Sequence, residues 1–396
     1  MNVNLVAVGL LYRYGYFNQV LSAQGYQVAG YDAQDFTKIP AVPVLDKDGN
    51  WVTTSVAFPG RNITARLWKV EVGRTDLYLM DADYEANSPE DREVTYHLYG
   101  GNWENRLKQE LLLGVGGIRA LRKLGLNPQV YHCNEGHAAF IGLERLREYI
   151  EKDNLDFTEA LEVVKASSLF TTHTPVPAGH DAFEEGMLRQ YIGHYPERLK
   201  VDWETLMSLG KDNPLDAAEK FSMSNLAANI SQNVNGVSML HGKVSQDIFS
   251  HMYPGYLPEE LFVSYVTNGV HYPTWCAPEW KPVHAKVFGP AFAMHHYDKS
   301  CFEGIYGVSD KDVWNVKKQL KVKLMDFIRE RLQDNTISNH YSPSELVKIM
   351  ENLRDDVLTI GFARRFATYK RATLLFRDLD RLDKIVNNPA QPVQFL

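Results

Sequence analysis

The sequence contains few cysteines, no long hydrophobic run and no excess of positive charge. Its three cysteines, Cys133, Cys276 and Cys301, lie far apart, which excludes a disulfide framework or a zinc ribbon and favours a reducing, cytoplasmic compartment. No run of about 18 apolar residues occurs, so we expect no membrane-spanning helix. A formal net charge of −7 argues against a general binder of nucleic acids or anionic membranes.

Several motifs with well-defined chemistry are also absent. The chain has no G-x-x-x-x-G-K-[ST] phosphate loop and no G-x-S-x-G nucleophile elbow. The glycines of Gly114–Gly117 do not form the G-x-G-x-x-G fingerprint, and their position within a predicted helix favours close packing as their purpose. The first residues have no basic segment before the apolar run and no small-residue cleavage site, so we expect no signal peptide.

What the sequence does have is an alternation of strand and helix patterns. Hydrophobic residues make up 44 % of the chain, which is enough for a buried core. Apolar residues at helical spacing predict helices over 105–124 and 138–149. Strands are predicted over 5–11, 128–134, 166–172, 236–240 and 261–266. This order predicts an α/β protein with a parallel, doubly wound sheet, in which ligands bind beyond the carboxyl ends of the strands.

The patterns divide the chain into three predicted segments. Residues 1–270 form an N-terminal Rossmann-like domain, 271–354 form a mainly helical connection, and 355–396 begin a second Rossmann-like domain. A strand starts almost at the first residue, and an apolar run begins at Pro392 and stops at Leu396. Because a parallel strand needs a crossover and a partner, both ends look cut, and we expect a fragment of a longer chain.

The stretch 357–376 concentrates positive charge in an acidic protein. Arg364, Arg365, Lys370 and Arg371 fall between a predicted strand and a predicted helix. A helix N-terminus and several cations together attract an anion, so this arrangement predicts an anion-binding site. The alternative is a solvated basic surface that is paired with neighbouring carboxylates.

Three polar clusters lie at the carboxyl ends of predicted strands. They are His132–His137, Phe170–His180 and Thr267–Gly269. The first has the residue types of a metal site, but it lacks the H-E-x-x-H and Cys-x-x-Cys spacings, which makes sugar-hydroxyl contacts or a satisfied strand-end network the favoured interpretations. In the second cluster two prolines stiffen the loop that carries His173, which suits a contact residue, and a purely structural turn is the alternative.

Seven short motifs in a fixed order resemble the α-glucan phosphorylases, the glycogen, starch and maltodextrin phosphorylase family of glycosyltransferases. The motifs are Gly9–Gln19, Arg106–Glu110, Asn134–His137, Thr172–Thr174, Val234–Val237, Asn268–Gly269 and Arg365–Arg371. The resemblance implies a GT-B fold of two Rossmann-like domains, with 1–270 binding glucan and the second domain incomplete. It also implies reversible phosphorolysis of α-1,4-glucans to glucose 1-phosphate with retention. The implied cofactor is pyridoxal 5′-phosphate, whose phosphate group does the acid–base work.

The resemblance also implies roles for particular residues. The implied catalytic residues are His173, Arg365 and Lys370, of which the two cations would bind the substrate phosphate. The implied substrate-binding residues are Asn268, His137, Glu135 and Tyr369, and the implied cofactor-binding residues are Arg364 and Trp275. The partners implied are an α-1,4-glucan such as maltodextrin and inorganic phosphate or glucose 1-phosphate. We expect no metal, nucleic acid or membrane partner, and a homo-oligomer is left open.

Two departures from the family pattern limit what this chain is expected to do alone. The family's glycine-rich loop would lie upstream of Met1, and the lysine that anchors the cofactor would lie beyond Leu396. We therefore expect no covalently held cofactor and no turnover by this chain alone. The alternatives are a nucleotide-sugar glucosyltransferase such as a glycogen or starch synthase, a non-catalytic glucan-binding derivative and, last, a metal hydrolase built on His132–His137.

Overall fold

The computed structural model describes residues 3–22, 24–98, 100–297, 299–333, 342–364 and 370–396. The chain divides into two compact units. The first unit contains the residues up to Asn18 together with Ala29–Asn268, and the second contains Gln19–Val28 and Gly269–Leu396. Helices and strands alternate along much of the chain, which confirms the α/β class.

The strands of the described residues are numbered along the chain. They are β1 (Val6–Leu10), β2 (Asn18–Leu21), β3 (Gln27–Gly30), β4 (Ala41–Pro43), β5 (Thr53–Phe58), β6 (Arg61–Val72), β7 (Thr75–Asp81), β8 (Tyr131–Asn134), β9 (Ser168–Thr171), β10 (Ala182–Phe183), β11 (Phe221–Ser222), β12 (Asn233–Gly236), β13 (Val263–Tyr265), β14 (Leu358–Ile360) and β15 (Val393–Phe395).

The α-helices of the described residues are numbered in the same way. They are α1 (Pro89–Arg92), α2 (Trp103–Leu111), α3 (Gly117–Lys123), α4 (Ile141–Lys152), α5 (Phe157–Ala166), α6 (Glu185–Ile192), α7 (Tyr195–Leu199), α8 (Trp203–Met207), α9 (Met223–Asn229), α10 (Met239–Phe249), α11 (Tyr272–Trp275), α12 (Trp280–Phe288), α13 (Phe292–His295), α14 (Asp310–Leu332), α15 (Pro343–Asn352) and α16 (Leu379–Val386).

The first unit contains a five-stranded mixed sheet in the order β1-β7-β6-β4, with β5 also paired to β6. β1 is parallel to β7, whereas β4, β5 and β7 are antiparallel to β6. Ile63, Ala65 and Leu67 on β6 are fully buried, because alternate side chains of a strand face the same side of the sheet. β1 itself confirms the strand that the sequence predicts over 5–11.

A second sheet of the same unit is entirely parallel, in the order β13-β12-β9-β8, and confirms the predicted parallel arrangement. Its register places Asn134 beside Thr171 and Thr171 beside Asn235, so the carboxyl ends of neighbouring strands share one edge. The prediction of a strand over 236–240 is wrong. The strand ends at Gly236, because the Ser238 hydroxyl accepts the His241 N–H at 3.1 Å and starts α10.

The helix predicted over 105–124 is present as α2, a π-helical stretch over Leu112–Gly116 and α3. Its glycines serve close packing, as the sequence predicts. A Cβ atom at Gly114 would lie 2.7 Å from the Phe140 Cβ and 2.8 Å from the Ile141 amide nitrogen. A Cβ at Gly117 would lie 3.2 Å from Val8 Cγ1, so this segment lies directly against β1 and the start of α4.

The second unit is mainly helical before it reaches β14 and β15, which pair in parallel. The sequence predicts one helix from Lys370 onward, but the structure divides this segment into two helices. Lys370 and Arg371 precede a 3₁₀ helix over Ala372–Phe376, and α16 begins only at Leu379. The reason is a cap: the Asp378 carboxylate accepts the Arg381 N–H at 2.9 Å and starts the helix there.

Two features are absent from the described ranges. Within these ranges no helix combines the length and the apolar character that crossing a membrane requires. No group of three or more His, Cys, Asp or Glu side chains among the same residues could hold a metal ion.

Candidate functional site

Polar residues collect at the carboxyl edge of the parallel sheet in the first unit. β8 ends at Asn134 and β9 ends at Thr171, and the loops that follow them carry Glu135 and His173. The Glu135 N–H donates to the Thr171 carbonyl at 2.9 Å, which extends the pairing of the two strands by one residue. The predicted residues of both loops therefore lie side by side at the edge where α/β sheets bind ligands.

Glu135 joins the two loops through its carboxylate. One oxygen, Oε2, accepts the His173 backbone N–H at 2.8 Å and the Thr174 hydroxyl at 3.0 Å. The other oxygen, Oε1, accepts the Gly136 N–H at 3.2 Å. Glu135 itself has φ +75° and ψ 165°, a backbone region that is favourable only for glycine. The carboxylate is thus committed to positioning the loop that carries His173.

The ring of His173 is held by a second residue. Its Nε2 lies 2.5 Å from Asn134 Oδ1, a hydrogen bond in which the ring N–H donates to the amide oxygen. The side chain of His173 is nevertheless exposed. His173 is therefore fixed at its backbone by Glu135 and at its ring by Asn134, while it faces solvent at the sheet edge. The sequence placed Asn134 in the cluster but assigned it no role.

A row of hydrogen bonds runs across the sheet directly beneath these loops. His132 Nε2 lies 2.8 Å from Thr171 Oγ1, and the Thr171 hydroxyl donates to Asn235 Oδ1 at 3.0 Å. The Thr172 N–H donates to the Asn235 carbonyl at 3.0 Å. Burial, and secondarily the nearby His173, lowers the pKa of His132, which favours its neutral ring. This row matches the satisfied strand-end network that the sequence analysis favoured over a metal site.

His137 lies on the 3₁₀ turn Gly136–Ala138 and is surrounded by ionisable groups. Burial lowers the pKa of His137, and the positive charge of Arg106 lowers it further. Arg106 pairs with Glu110 at 3.0 Å and with Asp181 at 2.8 Å. Burial raises the pKa of Glu110 well above its usual range. His137 is therefore a neutral ring near neutral pH, able to donate one hydrogen bond and accept another.

Asn268 follows β13 at the same edge of the parallel sheet, and its side chain is exposed. Its backbone N–H donates to the Val237 carbonyl at 3.3 Å. The Val237 N–H in turn donates to His241 Nδ1 at 3.1 Å. His241 is a supporting residue that the sequence analysis missed. A Ser-x-x-His pattern at the start of a helix is the signal that could have identified it.

The second unit contains the other predicted site residues that the structure describes. Trp275 ends α11 with 77 % of its surface exposed, and Arg364 is exposed in the segment after β14. Lys370 is half-buried and comes just before the 3₁₀ helix Ala372–Phe376. Arg365 and Tyr369 lie outside the described residues. The described cations thus follow the carboxyl end of a parallel strand, as the sequence predicts.

The chain is similar in sequence to proteins of one enzyme family. The family model described as carbohydrate phosphorylase matches residues 119–360. A glycogen phosphorylase of Mycobacterium tuberculosis H37Rv is 39 % identical across the whole of this chain, which covers 47 % of that relative. A maltodextrin phosphorylase of Thermococcus litoralis is 37 % identical, with 46 % of it covered. A glycogen phosphorylase of Aquifex aeolicus is 34 % identical, with 56 % covered. The chain therefore spans about half the length of these relatives.

Proposed function

Because the chain belongs to the carbohydrate phosphorylase family, we propose that it is part of an enzyme that phosphorolyses α-1,4-glucans. The products would be glucose 1-phosphate, formed with retention of anomeric configuration, and a shortened glucan. The observation that carries the proposal is the fixed position of His173 at the carboxyl edge of a parallel sheet. Two side chains of a neighbouring loop hold this histidine, which is the preorganisation that a substrate contact requires.

In the first unit the proposed role of the polar cluster is to bind the reacting glucosyl unit. His173 would contact sugar hydroxyls through its ring, and its carbonyl would face the anomeric carbon, where positive charge develops. The exposed amide of Asn268 and the neutral ring of His137 would bind further hydroxyls. Glu135 would act on the reaction through His173, because its carboxylate already accepts three hydrogen bonds from the protein.

In the second unit the proposed role of the cations is to bind phosphate. Lys370 and Arg365 would bind the substrate phosphate with Tyr369 beside them, and fixed positive charge there would stabilise the transition state. The exposed Arg364 also suits the phosphate of pyridoxal 5′-phosphate, with Trp275 offering an exposed ring. When bound, this cofactor would supply a phosphate group for proton transfer. The chain's own residues would hold and neutralise that group.

The test is an assay of the complete protein supplied with pyridoxal 5′-phosphate, maltodextrin and inorganic phosphate. We expect α-glucose 1-phosphate to form at a rate that depends on phosphate. A parallel reaction offers a nucleotide sugar in place of phosphate. Elongation of the glucan from the nucleotide sugar, without release of glucose 1-phosphate in the first reaction, would support a synthase instead.

The same assay separates this chain from the complete enzyme. The 396-residue chain alone carries only part of the proposed active site, so we expect no glucose 1-phosphate above the protein-free background. We expect the chain alone to bind maltodextrin without turnover, because the proposed sugar contacts lie in its first unit. Turnover by the chain alone would contradict the division of the active site proposed above.

A further inference from the structure

One arginine of the first unit lies between two carboxyl groups. The Arg106 Nε is 3.0 Å from Glu110 Oε1, and another nitrogen of the same guanidinium is 2.8 Å from Asp181 Oδ2. Glu110 follows Arg106 by one turn of α2, whereas Asp181 ends the loop that carries His173. The ion pair with Asp181 therefore connects the end of that loop to α2.

The end of this loop is held at two further points, both at the start of α9. The Asp181 carbonyl accepts the Met223 N–H at 3.0 Å, and His180 Nδ1 lies 2.6 Å from Ser224 Oγ. The start of the loop is held by the hydrogen bonds at the backbone and ring of His173. Because the loop is short and fixed at both ends, a change in the ion pair at its end alters the position of His173.

The surroundings of Glu110 do not suit an ionised carboxylate. Its side chain is 1 % exposed, and neither of its oxygens accepts a hydrogen bond of normal geometry from any residue that the structure describes. A buried negative charge without such donors is costly, whereas a protonated carboxyl group needs only one acceptor for its O–H. Two carboxylates beside Arg106 would also leave one uncompensated negative charge. One proton shared by Glu110 and Asp181 makes the cluster neutral.

The difference in burial between the two acids places this proton on Glu110. The side chain of Asp181 is 24 % exposed, so water solvates its negative charge. Burial raises the pKa of Glu110. The charge of Arg106 opposes this rise, and the charge of Asp181 and a hydrogen bond to its carboxylate add to it. The other titratable side chains that act on Arg106 or respond to it are Tyr12 and the neutral ring of His137.

We propose that Glu110 is a positioning residue of the candidate site, which as a neutral carboxyl group donates to Asp181 and leaves Arg106 to hold the end of the loop that carries His173. When the proton leaves to solvent at alkaline pH, two negative charges repel each other and compete for Arg106. The ion pair at the loop end then weakens, and His173 loses part of its fixed position. The effect on turnover rests on the proposed function, whereas the bound proton does not.

The first measurement detects the proton itself in the chain, without any substrate. Infrared difference spectra compare the wild type with Glu110→Gln. At neutral pH we expect the carbonyl band of a protonated carboxylic acid in the wild type only, and we expect it to disappear reversibly as pH rises. Asp181→Asn should move this titration to lower pH, because removal of the competing charge favours the ionised form of Glu110. Absence of the band from the wild type at neutral pH would overturn the proposal.

The second measurement follows kcat and KM of the complete protein across pH. Glu110→Gln keeps the shape and one N–H donor but cannot ionise, so its kcat should stay within about threefold of the wild type at neutral pH and decline less on the alkaline side. Glu110→Ala provides no donor, and its kcat should fall about tenfold or more with a smaller change in KM for maltodextrin. Glu162→Gln, at an exposed position of α5, is the control and should follow the wild-type profile.

Two kinetic results would overturn the positioning role. Identical alkaline declines in the wild type and Glu110→Gln would show that ionisation of Glu110 does not affect turnover. Equal losses in Glu110→Gln and Glu110→Ala at neutral pH would show that the reaction requires the carboxylate and not the neutral acid. If the complete wild-type protein forms no glucose 1-phosphate, the proposed function fails, and the infrared result still decides where the proton lies. Circular dichroism confirms that the variants compared are folded.

Discussion

At the residue scale, Glu135 has a strained backbone conformation at the centre of the candidate site. Its φ of +75° with ψ of 165° costs on the order of 1–3 kcal/mol for a residue that carries a Cβ atom. The three hydrogen bonds that its carboxylate accepts compensate for this cost. The conformation persists because those bonds fix the loop of His173. The strained residue is therefore the one that positions the proposed substrate contact.

Replacing Glu135 with glutamine tests this interpretation. The amide keeps the size but presents only one acceptor oxygen, so at least one of the bonds to Gly136, His173 or Thr174 is lost. We expect the free energy of unfolding of the chain to fall by about 1–3 kcal/mol. In the complete protein kcat should fall roughly tenfold or more, with a smaller change in KM, because His173 is misplaced.

The control for this variant is Glu162→Gln on the exposed face of α5. Its free energy of unfolding should stay within about 0.5 kcal/mol of the wild-type value. If Glu135→Gln behaves like Glu162→Gln in both stability and kcat, Glu135 does not position His173.

A second residue-scale prediction concerns Lys370. In the complete protein Lys370→Ala should lower kcat on the order of 100-fold or more while glucan affinity changes little, because a phosphate ligand acts mainly in the transition state. Lys384→Ala, at an exposed lysine of α16 in the same unit, is the matched control. Steady-state kinetics against phosphate and maltodextrin separate the two effects. Unchanged turnover in Lys370→Ala would favour the solvated basic surface that the sequence left as the alternative.

At the scale of elements, the first unit depends on a close approach between the segment from α2 to α3 and its neighbours. Gly114 lies where a Cβ atom would overlap the backbone of Phe140 and Ile141 at 2.8 Å. Phe140 is fully buried and cannot move aside without disturbing the core. The glycine is therefore required by the contact and not by its own φ, which is helical in this segment.

The matched pair Gly114→Ala and Gly186→Ala tests this contact. Gly114→Ala should lower the free energy of unfolding by about 1–3 kcal/mol, since overpacking forces backbone shifts. Gly186 lies in α6, and a Cβ there meets nothing within 4 Å. Gly186→Ala should therefore raise stability by about 0.5–1 kcal/mol through helix propensity. Urea denaturation measures both, and equal effects of the two substitutions would contradict the close approach.

At the scale of the whole molecule, histidines with lowered pKa values connect stability to pH. Burial lowers the pKa of His132, His137 and His180 in the first unit. A histidine with a lowered pKa binds fewer protons when folded than when unfolded. Its contribution to stability is therefore complete above the unfolded pKa of about 6.5 and is lost as pH falls through the folded value. The pKa of Glu110 is raised, so this residue has the opposite effect. Its contribution to stability is complete below the unfolded pKa of about 4.3 and is lost as pH rises through the folded value.

Because the histidines with a lowered pKa outnumber Glu110, we expect the melting temperature of the chain to fall as pH is lowered from 7 towards 5.5. His137→Gln should make this fall less steep, since one of the histidines with a lowered pKa is gone. His295→Gln, at an exposed position on α13, should leave the slope unchanged. Differential scanning calorimetry at several pH values provides the measurement. An identical slope in wild type and His137→Gln would show that His137 does not contribute.

Much of the element order and of the site could be predicted from the sequence. Apolar runs and helical spacing follow directly from burial, so β1, β8, β9 and α4 were predicted close to their observed positions. Apolar spacing did not predict where two of the helices begin. Ser238 and Asp378 cap the first turns of α10 and α16, so these helices begin at other positions than the spacing indicates. A single hydroxyl or carboxylate that accepts a backbone N–H can determine where a helix begins, even when the apolar pattern favours another position.

By itself the sequence determined the α/β class, the family resemblance and which polar loops follow the strands. Only the tertiary structure decided that Glu135 holds the loop of His173 and that Asn134 holds its ring, because these bonds join residues 38 and 39 positions apart. Only the tertiary structure placed β1 and β8 on opposite sides of one groove. Local patterns record burial and turn preference, whereas the register between strands and the spacing of strand edges are set by long-range pairing.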